Sequence, residues 1–293
     1  REALEYLAEP LLAGVYGGDP EALSAASVLP RFVEFERQYG SLTRGVLVEG
    51  GRTAGSLGGG PLFRSLRGGM GRLVEALEDK LRDRMEVVHG EAEEVEPGYR
   101  LRVGGEWLEA RAVVLACPAY EAGRLAKRID PELSGLLESV PYNSSVTVAL
   151  GYDRARIAHP MHGFGFLVPK RERRALVACT WVHNKFPHRA PEGVALLRCF
   201  VGGEPAESDD ALVEAAVEEL GEIMGVTAQP RWWRVSRWPR SMAQYTVGHL
   251  ERMKRIEERM SAWPGLALAG NGYQGIGVPD CVRSGQEAAE RVL

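Results

Sequence analysis

The sequence predicts a mixed α/β fold (α+β in its middle), with a β-rich segment inserted between two α/β segments. Three observations carry that expectation. Ala112 to Ala116 is the continuous apolar run AVVLA followed at once by a helical pattern, as in a strand buried on both faces of an α/β sheet. Leu266 to Ala269 repeats the arrangement, with a glycine-rich turn and a helix behind it. Between them lie strand patterns separated by turns, the spacing of a mostly antiparallel or mixed sheet. Two domains, with the chain crossing between them twice, follow from that order.

The elements can be justified in turn. Leu4, Leu7, Leu11 and Leu12 fall at helical spacing until Gly17-Gly18-Asp19-Pro20 breaks the run. Helical pieces are expected over Glu21–Ala26 and Phe32–Tyr39, then an irregular glycine-rich stretch from Gly45 to Gly60. Behind Gly71, the residues Leu73, Val74, Leu77 and Leu81 mark an amphipathic helix. Met85–His89 alternates like a strand, and Tyr99–Val103 with Trp107–Ala110 reads as a hairpin around Gly104-Gly105. Ala119–Lys127 is helical. The middle strands are Ser145–Leu150, Phe164–Val168, Leu176–Val182 and Val194–Val201. Ser208 should cap a helix over Asp209–Met224 that turns Leu212, Ala216, Leu220 and Ile223 to one side. Arg231–Trp238 reads as a strand, Leu250–Trp263 as a helix, and Pro279–Leu293 as the closing helix.

Composition narrows the functions. With 45% hydrophobic and 26% charged residues in 293, the chain has the content of a folded protein, not a disordered one. Lys plus Arg is 36 against 40 Asp plus Glu, a net charge of −4, which offers no electrostatic case for a nucleic-acid partner. Arg231-Trp232-Trp233-Arg234 and Arg237-Trp238 pair bases with aromatics, yet at strand spacing one face is core and the other solvated. No apolar run approaches the ~18 residues of a membrane span. The four cysteines are far apart with no CxxC, so a reducing cytoplasm is expected, without disulfides or zinc. Cys117, at a strand end before Pro118, reads as a buried small residue. His159, His162, His183 and His188 share no metal-ligand spacing, so no metal is expected. The carboxylates Glu91, Glu93, Glu94, Glu218 and Glu219 read as solvated faces, and no side chain is expected to act as a catalytic acid, base or nucleophile.

The sharpest local feature is Gly270-Asn271-Gly272-Tyr273-Gln274-Gly275, a GxGxxG behind an apolar strand. It can be read as a pyrophosphate turn, or as glycines required by steric crowding alone. The following Ile276-Gly277-Val278 leads into a helix with Pro279 at its start. The open N–H groups of such a terminus favour negative charge, as on the pyrimidine edge of a reduced flavin.

At this point the residues resemble a family. LALAGNGYQGIGVPDCVRSGQEAAERV (Leu266–Val292) is similar to the C-terminal flavin motif of protoporphyrinogen oxidases, within the flavin amine oxidase superfamily. The likeness runs in order through GVYGGDPEALS (Gly14–Ser24), RGGMGRLVEAL (Arg67–Leu77), AVVLACPA (Ala112–Ala119), GFGFLVPKRE (Gly163–Glu172), NKFPHRAPEG (Asn184–Gly193) and RWPRSMAQYTVGHLERM (Arg237–Met253). Members of that family open with a strand and a GxGxxG that bind FAD. No such unit precedes Arg1, so the resemblance implies the C-terminal two-thirds of the family's chain, a truncated form.

The resemblance implies FAD as cofactor, with independent binding by this chain left open. It places Ile276, Gly277 and Val278 at the flavin's pyrimidine edge, and Ala92 or Glu93 at the adenine through the backbone. Leu167 and Phe186 would pack on a tetrapyrrole face. It implies a helical remnant of a membrane-associating substrate domain at 1–50, FAD-domain segments at 61–118 and 256–293, and a substrate-binding mixed sheet at 119–255. The activity implied is oxidation of protoporphyrinogen IX or coproporphyrinogen III to the porphyrin in haem biosynthesis. The partners implied are the tetrapyrrole, no nucleic acid, a second copy or an N-terminal segment, and the inner face of a membrane peripherally. Two alternatives stay open: another amine oxidase or desaturase-type flavoenzyme, and a non-catalytic fragment that binds no cofactor.

Overall fold

The computed structural model describes residues 2–53 and 64–293. In chain order, a π-helical turn Leu4–Ala8 leads into α1 (Glu9–Tyr16), α2 (Ala25–Val28), α3 (Pro30–Tyr39), α4 (Leu42–Thr53) and α5 (Gly71–Leu81). Then come β1 (Ala92–Glu96), β2 (Arg100–Val103), β3 (Glu106–Glu109), β4 (Val113–Leu115), α6 (Ala119–Ala126) and α7 (Pro131–Glu138). The middle holds β5 (Tyr142–Asp153), β6 (Gly165–Leu167), β7 (Leu176–Trp181), α8 (Val182–Lys185), β8 (Val194–Gly202), α9 (Asp209–Met224) and β9 (Trp232–Ala243). The chain closes with α10 (His249–Met260), β10 (Leu266–Leu268) and α11 (Val278–Val292).

These elements form two compact units, each assembled from three pieces, so that the chain passes between them five times where two crossings were expected. The first holds residues 2–20, 64–86 and Asn143–Met242, and the second Glu21–Thr53, Val87–Tyr142 and Ala243–Leu293. Helices α6 and α7, read from the sequence with the middle segment, lie in the second unit.

The first unit is built on a five-stranded sheet in the order β6-β7-β8-β5-β9. The pairings of β6 with β7, β7 with β8 and β8 with β5 are all antiparallel. Period-two alternation gives the sheet two distinct faces. Val146, Val148, Leu150 and Tyr152 of β5, Cys179 and Trp181 of β7, and Ala195, Leu197, Cys199 and Val201 of β8 pack on one of them. Helix α9 covers that face with Leu212, Val213, Ala216, Leu220 and Met224. Ser208 caps α9 as expected, its hydroxyl accepting from Ala211 N–H at 3.3 Å. Ile223 is 37% exposed and falls outside the buried stripe. Glu219, read as solvated, instead accepts from the N–H groups of Ala175 and Leu176 at 2.7 and 2.9 Å, fixing β7's entry. Cys179 and Cys199 face each other across β7 and β8 with Sγ atoms 3.8 Å apart, both buried and both free thiols.

The second unit has two small sheets. The antiparallel β1-β2-β3 sheet is joined to the parallel pair β4-β10 by Tyr99, whose hydroxyl oxygen accepts from Gly265 N–H at 2.9 Å. Val113 N–H donates to Gly265 O and Ala269 N–H to Leu115 O, so the odd-numbered residues of β10 bond toward β4. Leu268 therefore turns its main-chain groups to the other edge, where no strand lies among the described residues, while Leu266 N–H is taken by Trp263 O at 2.9 Å. Ile256 and Met260 of α10 pack in one cluster with Leu266, and Ala288 of α11 in another with Ala267 and Ala269. The result is a groove of about 490 Å³ walled by α10 and α11, with Ala267 and Leu268 in its lining.

Several expectations are corrected here. Residues 85–89 belong to no strand: Met85, Val87 and Val88 are 42–56% exposed and no ladder forms there. The run AVVLA is not buried on both faces, because Val113 and Leu115 are buried while Val114 is 40% exposed. Of the stretch from Gly45 to Gly60, residues 45–53 are helical in α4, and 54–60 fall outside the described residues. Helix is confined to Ala25–Val28 within the Glu21–Ala26 neighbourhood, since Leu23 is held in a β-bridge to Thr246. Helix α5 forms where expected, but none of its residues is buried. An apolar stripe predicts a helix face without naming its partner.

Asp130 shows how α7 is anchored. It is 2% exposed, caps the N–H groups of Glu132 and Leu133 at 3.0 Å each, and pairs with Arg259 at 2.6 Å. Burial opposes its charge, yet the Leu133 N–H and Arg259 outweigh it and hold the carboxyl below its usual range. Replacing Asp130 by Ala removes the cap and the pair with Arg259, which keeps Glu132 at 3.4 Å, and should cost about 1–2 kcal/mol in urea unfolding. A loss below about 0.5 kcal/mol would show that neither contact contributes.

Candidate flavin turn and open sheet face

Two places collect the residues singled out above, one in each unit. In the second unit, the chain leaves β10 through Gly270, at φ +124°, and Gly275, at φ +93°. Both conformations favour glycine. The other glycines answer to their own chain. A Cβ on Gly272 would stand 2.7 Å from the Tyr142 hydroxyl and 3.2 Å from Ala119 Cβ. One on Gly275 would stand 2.5 Å from the Asp280 carboxyl carbon. Of the two readings of the GxGxxG, steric crowding accounts for these positions.

A hydrogen-bonded stack holds the turn from beneath. Tyr245 donates its hydroxyl to Asn271 O at 2.8 Å and stacks on His249 with ring centroids 4.0 Å apart. His249, 1% exposed, bonds Tyr273 O at 2.8 Å through Nε2, which fixes Nε2 as the protonated nitrogen. Its Nδ1 is buried without a partner. Sequence reasoning passed over this histidine, since nothing in its spacing marks it. Burial, the main cause, pushes its pKa below the ordinary histidine value, while the Tyr273 carbonyl works the other way.

The turn ends in α11, with Gly277 as its N-cap and Pro279 in its first turn. The helix terminus already carries one anion. Asp280 Oδ2 accepts from Gly277 N–H at 3.2 Å, and Asp280 pairs with Arg283 at 2.6 Å. This corrects the expectation of a wholly open terminus: the N–H groups of Val278 and Asp280 remain for an outside acceptor. Ile276 and Gly277 are half-buried, and Val278 is 52% exposed. Ala92 and Glu93 lie on β1 in the same unit. The register shifts between Ala92 and Glu94, leaving Glu93 as a bulge residue. The carbonyls of Ala92 and Glu93 accept from Arg124 at 2.8 and 2.7 Å, so only their N–H groups are candidates for a ligand. Glu93, Glu94 and Glu91 are not simply solvated: they pair with Arg102, Arg128 and Arg124 respectively. Cys117 is half-buried, and burial raises its thiol pKa.

The turn fits a flavin edge in its chemistry. It presents main-chain donors at a helix N-terminus and no side chain at Gly277, where a Cβ would meet Asp280 Oδ2 at 3.1 Å.

In the first unit, the sheet face opposite α9 is the second place; α1 reaches its β6 end, where a Cβ on Gly14 would stand 3.2 Å from Leu167 Cδ2. The register aligns Leu167, Ala178, Phe200 and Thr147 in one cross-strand row, and Gly165, Thr180, Arg198 and Ala149 in the next. Leu196 follows beside Gly151, where a Cβ would meet the ring of Trp232 at 2.3 Å. Trp238 donates to Thr147 Oγ1 at 3.4 Å. Small residues between a few large ones make a shallow platform. Leu167 is 42% exposed on it, so it is not core. Phe186 lies elsewhere, just beyond α8, half-buried and edge-on to His188 at 6.2 Å. Phe200 and Thr180 were missed from sequence, although the alternation in LLRCFVG placed Phe200 opposite the core residues.

The model of the family described as flavin containing amine oxidoreductase matches residues 1–293. The chain belongs to that family. It is 33% identical over 309 residues to coproporphyrinogen III oxidase of Bacillus subtilis, covering all of this chain and 64% of that one. It is 29% identical to protoporphyrinogen oxidase of Bos taurus, covering 97% of this chain and 65% of that one. A crystal structure from Exiguobacterium sp. 255-15, assigned as a protoporphyrinogen oxidase, superposes with a TM-score of 0.82 at 34% identity. The superposition covers 99% of this chain and 63% of that one. The chain thus spans just under two thirds of the length of these relatives. No helix among the described residues is long and apolar enough to cross a membrane.

Two outcomes follow. Because His249 is neutral when folded and takes up protons more readily unfolded, its contribution is complete above its unfolded pKa of about 6.5 and declines as pH falls below it. Thermal melts from pH 8 to 5 should show that decline, and His249→Gln should flatten it; an unchanged slope would remove His249 from the cause. Gly277→Val should push Asp280 from its cap and weaken FAD binding, measured by quenching of flavin fluorescence. Unaltered affinity in the variant would take Gly277 out of the flavin site.

Proposed function

We propose that this chain carries the flavin-edge and tetrapyrrole-binding parts of an FAD-dependent oxidase, which converts coproporphyrinogen III or protoporphyrinogen IX to the porphyrin in haem biosynthesis. The observation that carries this reading is the row Leu167–Ala178–Phe200–Thr147 on the open sheet face. A flat macrocycle needs a flat apolar surface with few polar anchors, and this face supplies one. Family membership supports the flavin, and the named relatives support the substrate class.

In this reading Val278 N–H and the half-buried Ile276–Gly277 backbone hold the pyrimidine edge of FAD, and the N–H groups of Ala92 and Glu93 meet the adenine. The bound flavin would supply the redox chemistry, accepting hydride from the substrate. The protein's own residues bind and orient. Leu167 and Phe200 contact the ring, Thr180 lies under it, and Phe186 borders it. No acid or base from this chain is assigned a proton-transfer step. Residues 61–118 and 256–293 are assigned to FAD and 119–255 to substrate.

The partner assignment rests on the groove at β10. A parallel strand pair is ordinarily flanked by further strands and covered on both faces. Here the covers exist and, among the described residues, no neighbouring strand does, so the groove suits an added strand. An N-terminal segment supplied by the longer form fits that role, with self-association as the other way to fill it. The four cysteines, all free thiols, support a cytoplasmic setting. Leu7 in the turn before α1 and Leu11 within α1, 71% and 56% exposed, support peripheral contact with a membrane.

Titrating coproporphyrin III into the purified chain tests the reading. Binding should quench porphyrin fluorescence, and Phe200→Ala should weaken it by about 1–3 kcal/mol while leaving FAD affinity unchanged. If Phe200→Ala leaves porphyrin affinity intact, the open sheet face is not where the tetrapyrrole binds.

A further inference from the structure

Two of the runs that carry the family likeness, Gly14–Ser24 and Arg237–Met253, reach into the second unit with residues that no role above has absorbed. The structure brings them together there. Leu23 and Thr246 form an antiparallel β-bridge, Ser24 N–H donates to Tyr245 O at 2.8 Å, and Val247 N–H donates to Ala22 O at 3.1 Å. One residue earlier, Gln244 N–H donates to Pro141 O at 2.8 Å. The backbone is thus tied on both sides of Tyr245, and Leu23, Gln244 and Tyr245 are all buried. Gly248, at φ +88°, then turns the chain into α10, whose first residue is His249.

What this fixed segment presents is aimed at one place. The Tyr245 hydroxyl donates to Asn271 O at 2.8 Å, and the Gly275 backbone hydrogen-bonds the same hydroxyl. His249 donates to Tyr273 O at 2.8 Å. Asn271, Tyr273 and Gly275, alternate residues of the turn, are therefore each held by one of two side chains whose rings stack 12° from parallel. Residues 270–277 belong to no strand. Helix α11 ties only the ends of the turn, where Gly270 N–H donates to Ser284 Oγ at 3.1 Å and Gly277 N–H to Asp280. A glycine-rich turn has many conformations to lose, so the resting place of its donors depends on what holds its middle.

We propose that Tyr245 and His249 are positioning residues for the flavin turn. Through Asn271, Tyr273 and Gly275 they fix the start of α11, and with it the open N–H groups of Val278 and Asp280. This rests on the flavin reading given above and adds what sets the place of its donors. Neither side chain is assigned a contact with the cofactor. Donors held in position before a ligand arrives need no reordering when it binds, and that is the contribution of the pair.

The test follows single amides by hydrogen exchange and NMR in the purified chain, with FAD titration beside it. Tyr245→Phe keeps the stack and loses the hydroxyl. His249→Ala loses the stack and the bond to Tyr273, and His249→Gln keeps an N–H for Tyr273 O. Gly275 is bonded to Tyr245 itself, so the informative amides are Gly277 and Cys281, which donate to Asp280 and to Gly277 O and to neither side chain of the pair. Both should exchange about three- to tenfold faster in Tyr245→Phe and His249→Ala, the effect of one or two hydrogen bonds. His249→Gln should recover part of the protection, and amides of β4 and α7 in the same unit should keep their rates. Unchanged exchange at Gly277 and Cys281 overturns the proposal, and so does an equal rise throughout the second unit, which would make the pair general packing. Exchange decides the positioning whether or not the chain holds FAD by itself. Where FAD binds, its affinity should fall by a similar factor in Tyr245→Phe and His249→Ala and recover in part in His249→Gln. Faster exchange with unaltered FAD affinity would sink the flavin reading of the turn and leave its positioning by the pair standing.

Discussion

The period-two alternation of β8 is the constraint on which the first unit depends. Ala195, Leu197, Cys199 and Val201 meet α9 from one side of the strand, while Leu196, Arg198 and Phe200 stand on the other. A slip of one residue would send Arg198 into the core and the core residues to the surface. Because β8 lies between β7 and β5, that register also fixes which residues share a row with Phe200. The same alternation thus builds the packed interior and the exposed platform, and neither can change alone.

The second unit solves a different problem. Its sheets are too small to hold a glycine-rich turn by ladder hydrogen bonds. Aromatic side chains do it instead: Tyr245 and His249 clasp Asn271 and Tyr273, the Tyr142 hydroxyl oxygen accepts from Ala119 N–H, and that of Tyr99 accepts from Gly265 N–H. The glycines then make room for these side chains. Crowding by the protein's own atoms explains why Gly272 and Gly275 lack side chains, so glycine in this turn is weak testimony for a ligand.

Much of this was legible in sequence, for reasons that differ by element. Helix α9 announced its start through Ser208 and its buried face through Leu212, Ala216 and Leu220, because capping and helical spacing are local signals. The hairpin around Gly104-Gly105 is equally local. What escaped depends on contacts made at a distance. Val114 looked buried because AVVLA is apolar throughout, but burial requires a neighbour that composition does not reveal. Residues 85–89 alternate like a strand and find no ladder. Phe186 stood out within a motif, whereas Phe200 acquired its place only through cross-strand registration with Leu167. His249 gave no sign at all, since its role is set by the Tyr273 carbonyl and the Tyr245 ring.

The facing pair Cys179 and Cys199 has a practical consequence. Both sulfurs sit in the hydrophobic interior under α9, whereas Cys117 and Cys281 are partly accessible. A membrane-permeant alkylating reagent therefore meets two classes of thiol in one molecule. The accessible pair reports local surface chemistry, and the interior pair is reached only when the sheet and α9 separate. The molecule carries its own clock for the opening of its core, readable by mass spectrometry as the interval between the second and fourth adduct.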